Sequence, residues 1–86
     1  MMINDPIIEI DVHGLKVEEA IKAVQKKVEQ AGNGTYRVRI IHGYRGGVRI
    51  RTAIREEFSY GREPKVKRVV MGDNEGITEL ILKELF

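Results

Sequence analysis

Ile7-Ile8-Glu9-Ile10-Asp11-Val12-His13 alternates apolar and polar residues with period two, and from Val17 the period becomes that of a helix. This switch, made twice along the chain, restricts the fold more than any other feature. A strand points successive side chains to opposite faces, so Ile8, Ile10 and Val12 share one face while Glu9, Asp11 and His13 share the other. Gly14 breaks the strand. Val17, Ala20, Ile21, Val24, Val28 and Ala31 then recur at helical spacing, with Glu18 and Glu19 early and Lys26 and Lys27 late, which suits the helix dipole at both ends. Gly32-Asn33-Gly34 stops this helix. The pattern repeats: Tyr36-Arg37-Val38-Arg39-Ile40-Ile41 reads as a strand, residues 42–47 as a glycine-rich loop, and residues 48–59 as a helix with Ile50, Ala53, Ile54 and Phe58 inward. Residues 66–71 and 77–82 complete the chain as two strands joined by the turn Gly72-Asp73-Asn74-Glu75-Gly76, whose length favours antiparallel pairing. A parallel sheet covered on both faces needs apolar residues throughout its strands, and these strands carry Glu9, Asp11, His13, Arg37 and Arg39 on one face. The expected fold is therefore α/β: a two-layer βαβαββ sandwich, with a four-stranded mixed sheet, both helices on one face and a polar, open second face.

The 86 residues make one small domain, expected to span 1–86 with its core at about residues 8–82. A core this thin keeps any large ligand on the surface. The absence of cysteine excludes disulfides, thiolate zinc sites, iron–sulfur clusters and cysteine nucleophiles. The longest apolar runs, at residues 69–71 and 80–82, are far short of the roughly 18–20 residues that cross a bilayer. Residues 1–6 are too short and too acidic for a signal peptide, so a cytoplasmic protein without membrane attachment, monomeric, is expected. The net charge of +2 conceals a division. All eight arginines lie between Arg37 and Arg68, where the balance is +7, while the rest of the chain sums to −5. Arginine's planar fork matches phosphate oxygens two at a time, so this clustering points toward nucleic acid, the alternative being a solvated basic face.

Two His-Gly pairs, His13-Gly14 and His42-Gly43, each end a strand that feeds a helix. Both therefore belong at the carboxyl edge of the sheet, where α/β proteins bind ligands. Asp11 and His13, two apart on one strand, present a carboxylate beside an imidazole, which is the arrangement of a general acid or base; the competing reading is a strand-end cap. The loop His42, Gly43, Tyr44, Arg45, Gly46, Gly47 opens a helix, so its amides and the positive helix end can hold an anion, with Arg45 gripping a phosphate and Tyr44 stacking on a base or sugar. No lysine–serine/threonine pair follows, which excludes a Walker-type nucleotide site. Asp11 with His13 and His42 has the composition of a two-histidine, one-carboxylate metal set, yet without a tight spacing motif no metal ligand is assigned. A divalent cofactor stays open.

The motifs Ile10-Asp11-Val12-His13-Gly14, His42-Gly43-Tyr44-Arg45-Gly46-Gly47 and Gly72-Asp73-Asn74-Glu75-Gly76-Ile77-Thr78, in that order, resemble those of the Smr (small MutS-related) domain. The resemblance covers nearly the whole chain. The family's first motif is a strand ending Leu-Asp-x-His-Gly. Its second is commonly His-Gly-Lys-Gly-x-Gly; here Tyr44 replaces the lysine and Arg45 the middle glycine, which returns a positive charge to the loop. Gly76-Ile77-Thr78 fits the closing Gly-x-Thr. The resemblance implies a fold like the C-terminal domain of translation initiation factor three, nucleic-acid binding, and nicking endonuclease or ribonuclease activity. It implies Asp11 and His13 as the hydrolytic pair and the loop of residues 42–47 as the phosphate-positioning element. It also suggests a stand-alone member. Two readings of the basic segment follow: a nuclease acting on DNA or RNA, or a non-catalytic module that reads backbone through Arg37, Arg39, Arg45 and Arg49. A third is an interaction domain for a repair or ribosomal partner.

Overall fold

Residues 4–84 are described by the structure, a computed structural model. The expected order of elements forms: β1 (Ile7–Asp11), α1 (Val17–Gln30), β2 (Arg37–Ile41), α2 (Val48–Phe58), β3 (Arg68–Met71) and β4 (Ile77–Ile81). Beyond the end of β1, the Val12 N–H still donates to the Ile41 carbonyl at 2.9 Å. At β3 the alternation overshoots the ladder, because Val66 is buried from a turn closed by its N–H on the Glu63 carbonyl at 3.0 Å.

The sheet order is β1-β2-β4-β3. β1 and β2 are parallel, and β4 is antiparallel to both β2 and β3. The last strand in sequence is thus a central strand in space, and α2 carries the chain over it. The register aligns Glu9, Arg39, Glu79 and Val70 in one row across all four strands.

One apolar cluster joins the sheet to both helices. Ile8, Val38, Ile40 and Leu80 meet Ala20, Val24 and Val28 of α1 and Ile50, Ile54 and Phe58 of α2. Both helices therefore cover the same face. Each fully buried aliphatic or aromatic side chain contributes about 1.5–3 kcal/mol through burial. The opposite face carries Glu9, Asp11, Arg37, Arg39 and Glu79, as the alternation requires.

The two helices begin differently. α1 has Glu18 and Glu19 in its first turn, and the Glu19 carboxylate accepts the Lys16 backbone N–H at 3.1 Å, one half of a capping box. At its far end the Lys65 ammonium donates to the Ala31 carbonyl at 2.7 Å. α2 has no acid in its first turn, and no side chain caps it at Gly47. Its positive end is left unneutralised by the chain.

Candidate active site and nucleic-acid interface

Because β1, β2 and β3 run the same way, the ends of these strands and the starts of both helices gather at one edge of the sheet. Asp11 closes β1 there. Its carboxylate accepts the His13 backbone N–H at 3.0 Å and lies 2.5 Å from His13 Nδ1. These hydrogen bonds, the ring's first and the backbone's second, hold the Asp11 carboxyl below the usual carboxylate range. An ionised Asp11 fixes the ring proton on Nδ1 and turns Nε2 outward with its lone pair. The His13 side chain is 71% exposed and that of Asp11 51% exposed, so the pair is open to a macromolecule. Gly14, with φ +78°, takes the turn into α1 that few other residues adopt.

The second corner is built differently. His42, expected among the contact residues, lies under the loop and is 1% exposed. Its Nδ1 lies 3.1 Å from the Gly43 carbonyl and its Nε2 2.8 Å from Thr78 Oγ1. A carbonyl only accepts, so Nδ1 donates and Nε2 receives the Thr78 hydroxyl proton. Burial pushes the His42 imidazole below its usual pKa, and the Arg51 and Arg55 charges act in the same direction. His42 is a neutral internal clasp. It does not converge with Asp11 and His13 on a metal: among the described residues no three His, Cys, Asp or Glu side chains cluster in that way.

The loop is held to both corners. Gly76 accepts the His42 and Gly43 N–H groups on one carbonyl, each at 3.0 Å. Asn74 Oδ1 in turn accepts the Gly76 N–H at 2.8 Å, so the turn before β4 braces the loop before α2. Gly43 has φ +84°, and a Cβ there would sit 3.8 Å from the His13 Cβ, which brings this loop against the dyad. A Cβ on Gly47 would lie 2.1 Å from the Gly43 carbonyl oxygen and 2.4 Å from that of His42; only glycine lets the loop fold back there. Gly46 faces open space. Among the described residues the amides of Tyr44, Arg45 and Gly46 have no backbone partner. Arg45 and Arg49 at the start of α2, Arg51 one turn in and Arg55 in its last turn form no ion pair with described residues.

Arg37 and Arg39 lie on the open face as expected, but facing an acid that periodicity alone did not single out. Glu79, with a side chain 4% exposed, accepts Arg37 Nη1 at 2.6 Å and Arg39 Nε at 2.9 Å. Arg39 Nη1 also lies 3.6 Å from Glu9 Oε2. Two cations and two anions make this part of the face neutral. Most of the unpaired arginine charge sits instead at the loop and along α2. A cavity of about 310 Å³ opens at the opposite edge, lined by Lys65, Lys67, Lys83, Thr35 and Leu82. Neither Asp11 nor His13 lines it. Among the described residues no helix is long and apolar enough to cross a membrane.

Glu79, in the central row of the sheet, is the residue that the sequence reading passed over, and Thr78 was read only as part of the closing Gly-x-Thr, without its bond to His42. Parity contained the signal for one more: the alternation that turns Val38 and Ile40 inward turns His42 inward too.

A family model for the Smr domain matches residues 10–78, a span that contains all three motifs. Among solved structures, the crystal structure of the Smr domain of Thermus thermophilus MutS2 is similar, with a TM-score of 0.77 and 30% sequence identity over 90% of this chain and 99% of that one. No curated protein sequence matches. The matched span and the shared α/β sheet leave one assignment: the chain belongs to the Smr domain family, which is associated with nucleic-acid binding and nucleases.

Proposed function

We propose that this protein is a nicking endonuclease that cleaves phosphodiester bonds in DNA or RNA, with Asp11 and His13 as its hydrolytic pair. The observation that carries this reading is the Asp11–His13 contact itself: an exposed imidazole whose Nδ1 is held by a carboxylate at 2.5 Å. Nε2 of His13 takes the proton of the attacking oxygen, from water on DNA or from the 2′-hydroxyl on RNA, and the resulting imidazolium returns a proton to the leaving oxygen. Asp11 stabilises that imidazolium without moving. The extra negative charge on the phosphoryl oxygens falls to the amides of the loop, the uncapped start of α2, and Arg45 and Arg49. Arg37 and Arg39, already committed to Glu79, shape the sheet face beside the path of the strand.

The test is cleavage of matched DNA and RNA substrates, single-stranded and branched, with and without a divalent metal. His13→Ala is expected to slow cleavage about 10²–10⁴-fold, and Asp11→Asn to slow it less, with binding nearly unchanged in both. Equal rates for wild type and His13→Ala on every substrate overturn the mechanism.

A second reading is a binding module without chemistry. The unpaired arginines beside the uncapped helix favour it, since they bind phosphate whether or not His13 reacts. It predicts steeply salt-dependent binding and no cleavage of any substrate.

A further inference from the structure

Exposed apolar surface is distributed unevenly over the molecule. Among the described residues, five large apolar or aromatic side chains stand out as exposed: Leu15 (40%), Tyr44 (58%), Val48 (49%), Met71 (56%) and Tyr60 (75%). Four of them lie at the dyad's edge of the sheet. Leu15 follows the corner after β1, Tyr44 and Val48 bracket the loop before α2, and Met71 ends β3. Tyr60 alone lies past the far end of α2.

Three of the four are tied closely to His13. Leu15 is two residues away in sequence. Tyr44 adjoins Gly43, where a Cβ would sit 3.8 Å from the His13 Cβ. Val48 adjoins Gly47, which packs on the Gly43 and His42 carbonyls. The fold does not need these side chains outside, since none belongs to the buried core. Each leaves apolar area in water.

Phosphate recognition gives no reason for them either. Amides, a helix start and arginines suffice for an anion, and an aliphatic side chain beside a phosphate contributes nothing. An aromatic ring and two aliphatic side chains next to cations and a hydrolytic dyad match a different group: a nucleobase whose faces are available. In a continuous duplex those faces are covered by neighbouring base pairs. Only an unpaired base can lie flat on a tyrosine.

We infer that this edge holds an unpaired nucleotide next to the scissile phosphate, with Tyr44 as the stacking platform and Leu15 and Val48 as its apolar flanks. The substrate class is then single-stranded or locally opened nucleic acid, so a duplex is nicked only where its strands have opened. The inference rests on the nucleic-acid reading given above and deepens it, but it can be tested without cleavage.

The experiment is fluorescence anisotropy at fixed salt, with His13→Ala protein and three short labelled oligonucleotides: a single strand, its blunt duplex, and a strand of equal length and charge made of abasic sites. The single strand is expected to bind at least about tenfold more tightly than the other two. Tyr44→Ala is expected to weaken single-strand binding about 5–100-fold, to leave the abasic strand within about twofold, and to be rescued by Tyr44→Phe. Leu15→Ser with Val48→Ser is expected to weaken only the single strand. Equal binding of all three oligonucleotides, or an equal loss on all three from Tyr44→Ala, overturns the inference. Wild-type cleavage of blunt duplex as fast as single strand overturns it while leaving the nuclease reading standing. Tyr44-dependent single-strand binding with no cleavage of anything supports it and removes the nuclease reading alone. No binding of any oligonucleotide at low salt removes both.

Discussion

His13-Gly14 and His42-Gly43 occupy the same place in two consecutive strand–helix units, and both glycines take a positive φ, +78° and +84°. Beyond that the corners diverge. His13 faces water with a carboxylate on its ring, and its helix begins with Glu18 and Glu19. His42 faces the interior with a hydroxyl on its ring, and its helix begins uncapped among arginines. The difference is one of parity. His13 is an odd step from the inward Ile8, Ile10 and Val12, whereas His42 is an even step from the inward Val38 and Ile40. A single residue of phase separates a group that can meet substrate from one that shapes the platform beside it.

The sharpest way to break this comparison is to remove each ring. His42→Ala leaves a cavity and strands the Thr78 hydroxyl, with an expected loss of about 2–4 kcal/mol. In a domain of this size that is a fall of roughly 10–25 °C in Tm. His13→Ala, at an exposed position, is expected to stay within about 0.5 kcal/mol of wild type. Thermal unfolding followed by circular dichroism measures both, and equal shifts would mean that the two corners do not differ as described.

A smaller effect concerns acid. His42 has its native pKa depressed by burial, while the same group in the unfolded chain titrates near pH 6.5. Between the two values the unfolded state holds more protons, so stability is full above about pH 6.5 and falls as the pH drops toward the native value. Wild-type Tm is expected to fall several degrees more than that of His42→Gln between pH 7.5 and 5.5. Parallel pH profiles for the two proteins would assign the acid sensitivity elsewhere.

The third effect is the smallest in energy but has opposite signs in two assays. Arg49→Glu gives α2 the acidic first turn that α1 already has. It is expected to stabilise the fold by about 0.3–1 kcal/mol through the helix dipole. The same change is expected to weaken oligonucleotide binding about tenfold or more and to flatten its salt dependence by about one phosphate contact. A variant that gains stability without losing affinity would remove α2 from the interface.

Local periodicity made the elements and their faces legible. Ile8, Ile10, Val38, Ile40 and Phe58 point inward as their spacing requires, and Asp11 with His13 could be paired from a two-residue separation. What stayed hidden depends on partners far along the chain. Alternation says which face a residue takes but not which strand lies beside it. The acid that meets Arg37 and Arg39 sits on β4, some 40 residues later, and enters their row only because β4 inserts next to β2. The burial of His42 was within reach of parity; its partner Thr78 was not, for the same reason as Glu79. The closing Gly-x-Thr was visible as part of a resemblance, and its job became visible only once Gly76 was seen to hold the loop.

The central position of β4 has a consequence for the order in which function can arise. The side chains proposed as the hydrolytic pair are made early, within the first 13 residues, and the arginine-bearing loop is complete by residue 49. Yet the carbonyl that ties that loop down, the hydroxyl that holds His42 and the carboxylate that neutralises the sheet all arrive with residues 76–79. A growing or shortened chain that stops before them carries every reactive group and no means of aligning them. The domain therefore acquires its proposed activity at its last strand, when the sheet is filled from the middle.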